Sequence, residues 1–111
     1  MQFWQLDRLR LMANEPQILD SDDDGDRVVA LLLPQGEVLQ EHRVHEYALV
    51  FITRGLLLVG TGASERRLSS PTLIRFDPGE GSEICALTEC QLILCCSPSP
   101  GSEHGSPVVA A

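Results

Sequence analysis

The chain has 111 residues, 43% of them apolar and 22% charged. That is enough for one packed core, too short for two, and too apolar for a disordered chain. Asp and Glu number 16 against 8 Lys and Arg, a formal charge of −8, and a field of that sign argues against nucleic acid and against anionic membrane surfaces as partners. Asp7, Arg8 and Arg10 stand where a signal peptide needs an unbroken apolar run. The most apolar stretch, residues 47–59, is broken by Arg54 and Gly55 and is too short to span a bilayer. A cytoplasmic protein is the expectation.

In chain order, residues 3–12 offer at most a helical turn or two, and Phe3-Trp4 could equally begin a strand. Gln17-Ile18-Leu19 runs into Asp20-Ser21-Asp22-Asp23-Asp24-Gly25-Asp26 and returns along residues 27–33, which predicts a hairpin with an acidic turn. The acidic run resembles the front half of an EF-hand loop. Its twelfth position is Leu31 rather than Glu, and strands flank it, so a turn is the reading. Pro34-Gln35-Gly36 turns the chain, Arg54-Gly55 separates the runs 47–53 and 56–60, and Gly60-Thr61-Gly62-Ala63-Ser64 turns again before 65–68. Residues 72–76, the turn Asp77-Pro78-Gly79-Glu80-Gly81, and runs 83–87 and 91–96 complete the pattern. Eight or nine short strands without a crossover helix predict an all-β sandwich or barrel and exclude a parallel α/β sheet. Its core is expected from Leu31, Leu33, Val50, Ile52, Leu57, Val59, Leu73, Ile74, Leu92 and Leu94. Residues 1–98 are read as one barrel and 99–111, rich in Pro and Gly, as a flexible tail. Cys85, Cys90, Cys95 and Cys96 fit neither a paired zinc motif nor a disulfide framework, so buried reduced thiols are expected.

Gly36, His42 after five intervening residues, Gly55, and the turn Pro78-Glu80 around Gly79 carry a family likeness. Residues 33–97 resemble the small single-domain cupins, whose RmlC-like jelly roll is a double-stranded β-helix. The resemblance implies a barrel, a homodimer in which the Phe3-Trp4 segment could exchange between copies, and a site inside the barrel. In metal-binding cupins two histidines and a carboxylate from a first motif, and a histidine from a second, hold a divalent transition metal. Laid on this chain, those positions fall on His42, Val44, Ala48 and Ser82, so one ligand of the four remains. A metal-free pocket lined by His42, Val44, Ala48 and Ser82, binding a small molecule or serving as a scaffold, is the expectation. The alternative is a metal-dependent dioxygenase or isomerase. There a one-residue bulge would turn His45 and Glu46 inward beside His42, with Glu83, Cys85 or Cys96 completing the site. No Gly-x-Ser-x-Gly elbow, third phosphate-loop glycine or Cys beside a His supports another catalytic class.

Overall fold

The computed structural model describes residues 1–42, 46–62 and 64–98, and of residues 41 and 42 the backbone alone. A short 3-10 turn, Leu6–Arg8, precedes nine strands: β1 (Gln17–Ser21), β2 (Arg27–Leu33), β3 (Val38–His42), β4 (Glu46–Arg54), β5 (Leu56–Gly60), β6 (Glu65–Ser69), β7 (Thr72–Phe76), β8 (Gly81–Ala86) and β9 (Cys90–Pro98). They form two antiparallel sheets, one of five strands in the order β1-β2-β9-β4-β7 and one of four in the order β3-β8-β5-β6. The expected all-β jelly roll is the observed architecture.

Local chemistry explains the turns. In the β1–β2 hairpin the Asp22 carboxylate accepts the backbone N–H groups of Asp24 at 2.9 Å and Asp26 at 3.1 Å, and Gly25 takes a φ of 93°. The acidic run thus holds its own turn, as Asx turns do. Gly55 is a corner of another kind: the strands on either side of it belong to different sheets. It takes a φ of 109°, and a Cβ there would lie 2.5 Å from the Glu89 carbonyl oxygen and 2.6 Å from the Cys90 Sγ. Only glycine combines that backbone with that approach.

The core lies between the sheets. Strand alternation sends Ala48, Val50 and Ile52 of β4 inward, against Leu57 and Val59 of β5 and Ile84 and Ala86 of β8. Strand β9 runs buried on both faces from Cys90 to Leu94. The N-terminal segment reaches this sheet: the Gln91 side-chain amide donates to the Leu6 carbonyl at 2.8 Å, and Ala13 bridges Leu32 of β2.

One expected core residue is misplaced. Leu73 is 65% exposed, and its register partner is Phe51 on the outer face. Thr72, Ile74 and Phe76 take the inward positions of β7, and adjacent residues of a strand cannot share a face. The other nine expected core residues are buried or packed against the core. Strand ends also differ: β8 begins at Gly81 and β9 reaches Pro98. The tail 99–111 lies outside the described residues. The described cysteines are all free, with Cys90 and Cys96 buried and Cys85 and Cys95 half-buried.

Candidate functional site

At one end of the interior the sheets leave a narrow apolar space walled by Leu39, Val50, Phe76, Ile84 and Leu94. Ala48 of β4 and Ser82 of β8 enter it from opposite sheets, so two of the four predicted pocket residues do meet. Both are inward, at 3% and 9% exposure. The enclosed volume is about 10 Å³, room for one water. His42 ends β3, its backbone paired with Gly81 while Glu41 pairs with Ser82. The His42 side chain, Val44 and His45 lie outside the described residues.

Among the described residues, three acids rim the space. Glu46, the first residue of β4, receives both guanidinium nitrogens of Arg27, Nη1 on Oε2 and Nη2 on Oε1 at 3.0 Å. This forked, half-buried pair holds the carboxylate in a fixed plane. Asp77 and Glu80 close the lip of the β7–β8 turn: the Asp77 N–H donates to Glu80 Oε1 at 3.0 Å, and the Glu80 N–H donates to the Asp77 carbonyl at 3.1 Å. Arg75 reaches Asp77 Oδ1 at 3.2 Å while its guanidinium lies 5.0 Å from the centre of the Tyr47 ring.

Of the shifted metal site, the structure describes Glu46, Glu83, Cys85 and Cys96, while the side chains of His42 and His45 lie outside the described residues. Glu46 lines the space, but committed to Arg27. Glu83 and Cys85 sit on the opposite face of β8 from Ser82 and Ile84, because they are odd neighbours of inward residues. Glu83 there accepts from the Gln40 side-chain amide at 2.9 Å. Cys96 faces inward and is buried, paired in register with Ala48. Among the described residues no three His, Cys, Asp or Glu side chains stand close enough together to hold a metal ion. At Ala48 and Ser82, where the motif would place a carboxylate and a histidine, an alanine methyl and a serine hydroxyl occupy facing walls, and these two supply no strong donor for a divalent transition metal.

Phe76 and the Arg27–Glu46 pair were not singled out from the sequence. Phe76 was legible in principle, since inward alternation from Thr72 reaches it. The ion pair joins residues 19 apart and carries no local signal.

No family model matches this sequence, and no curated protein matches it. Solved structures do match in fold. The cupin domain of Schizosaccharomyces pombe Cnp3 superposes with a TM-score of 0.81 at 13% identity, over 93% of this chain and 73% of that one. KdgF from a Halomonas species gives 0.73 at 18%, over 91% and 98%. A cupin 2 conserved barrel domain protein from Salinispora arenicola gives 0.69 at 21%, over 87% and 88%.

Proposed function

With the cupin-type jelly roll as its frame, we propose that this chain is a metal-free binding module whose interior space takes a small, largely uncharged ligand. The observation that supports this most is the pairing of Ala48 and Ser82 across an apolar cavity, at the positions where a metal-binding cupin is expected to carry a carboxylate and a histidine. Few polar groups converge there: the Ser82 hydroxyl inside, and at the rim the Arg27–Glu46 pair, Asp77 and Glu80. An apolar chamber with a few directed polar groups is the usual form of a small-molecule site. At about 10 Å³ the space holds a single water, so a larger ligand enters only as the Asp77–Glu80 lip opens.

The test is amide NMR of metal-depleted protein titrated with small uncharged fragments. Signals of Ala48, Ser82 and Phe76 move for at least one fragment, and Ala48→Val, which fills the space, abolishes the response. Responses that require added Mn, Fe, Ni or Zn and vanish in His42→Ala or His45→Ala would replace this reading with the metal-dependent enzyme.

The same reading includes a homodimer. The outward residues of β4, β7 and β9 carry no acid, and Leu49, Phe51 and Leu73 stand exposed among them. In a chain of charge −8, an acid-free apolar face is where two copies approach with least repulsion. Sedimentation of the native chain should give a dimer and Phe51→Glu a monomer. A native monomer at the same concentration contradicts the assembly.

A further inference from the structure

Each sheet ends in a free edge on the same side of the sandwich, β7 in one and β6 in the other, and only residues 70–71 join the two edges. Along this seam lies a cleft of about 150 Å³. Its floor is Val59, Leu68, Ile74 and Phe76, all apolar and at least half-buried. Register decides which polar group overlooks that floor. Arg66 pairs with Val59 and Leu68 with Leu57, both partners being core residues, whereas Arg67 pairs with Leu58. Strand alternation therefore turns Arg66 toward the cleft and Arg67 away from it.

Arg66 has no carboxylate within ion-pair distance among the described residues. Arg75, also on the rim, is engaged with Asp77 and the Tyr47 ring. Glu80 stands on the opposite lip with Oε1 accepting from the Asp77 N–H. Thr61 and Ser64 add hydroxyls at the hairpin end.

We propose that this seam is a second binding site, for a small carboxylic acid with a compact apolar body. A void of about 150 Å³ takes a benzene-sized molecule, and an arginine fork matches a carboxylate in two parallel hydrogen bonds. The ring lies on Leu68, Ile74 and Phe76, and the carboxylate meets Arg66. An inward charge on an edge strand also discourages pairing with a foreign sheet. That role needs a charge but no particular geometry, so the two are separable. The site is distinct from the space at Ala48 and Ser82, with Phe76 and Glu80 shared between their walls.

The experiment is a titration of the whole chain with 4-fluorobenzoate, read by fluorine and amide NMR. Saturable binding with a Kd of about 1 mM is expected, given the solvent-exposed guanidinium. Amide shifts concentrate at Val59, Leu68 and Ile74 and spare Ala48, so failure here leaves the interior site untouched. Arg66→Gln weakens binding about tenfold, the loss of one charged hydrogen-bonding partner. Arg67→Gln, with the same change in net charge on the outer face, leaves it within about twofold. 4-Fluorobenzyl alcohol, with the same fluorinated ring but no charge, binds at least about tenfold more weakly. Should Arg66→Gln fail to fold, Arg66→Lys keeps the charge and loses the fork, and still weakens binding several-fold. No saturation by about 20 mM, equal losses from Arg66 and Arg67, or equal binding of the alcohol would each overturn the site.

Discussion

The two ends of the interior share the same pair of sheets and differ in how they are filled. At the closed end Ile52, Leu57, Cys90 and Leu92 are fully buried, and Gly55 is pressed against the Glu89 carbonyl and the Cys90 thiol. At the other end small residues, Ala48 and Ser82, face each other across an unfilled space rimmed by acids. One end carries stability and has no slack. The other keeps a little room at the cost of packing, which is how binding sites commonly differ from cores.

The sharpest way to break that comparison is at Gly55. Gly55→Ala should destabilise by about 4 kcal/mol, combining a left-handed backbone with a Cβ driven into the Glu89 carbonyl. Urea unfolding measures it, and a change below about 1 kcal/mol would show that the corner yields. A matched pair sharpens the contrast. Ala86→Val at the closed end should cost about 2 kcal/mol through overpacking, and Ala48→Val, the same change at the open end, less than about 1. Equal costs would mean that the open end is no looser than the core.

The smallest effect concerns pH. Burial pushes the Cys90 thiol above its ordinary value of 9.0, against hydrogen bonding from the Thr88 backbone and side chain, which pulls the other way. Below that pH the thiol is protonated in both folded and unfolded chains, so its contribution is fully present. Above it the unfolded chain ionises first, and stability falls as pH rises toward the folded value. Urea midpoints at pH 8 and 10 should therefore decline more in the native chain than in Cys90→Ala.

Much of the fold was legible because turn chemistry and alternation are local. Gly25, Gly36, Gly55, Gly62 and Gly79 all take positive φ, and each marks a turn read from the sequence. Leu73 was misread because hydrophobicity alone cannot choose between two adjacent apolar residues; the inward face of Ile74 and Phe76 settles it. The site was half legible. Ala48 and Ser82 followed from the motif spacing, whereas the Arg27–Glu46 fork, the Phe76 wall and the β6–β7 seam arise from pairings between distant strands. The outer-face positions of Glu83 and Cys85 depend on the register of β8, which a run of apolar residues leaves open by one.

Elemental analysis of the native chain, purified without chelator, probes the central claim most directly. Less than about 0.1 equivalent of Mn, Fe, Ni or Zn per chain is predicted, unchanged by His42→Ala or His45→Ala, because an alanine methyl offers no donor atom and a neutral serine hydroxyl binds too weakly to retain a divalent ion. One equivalent that either substitution removes would contradict it.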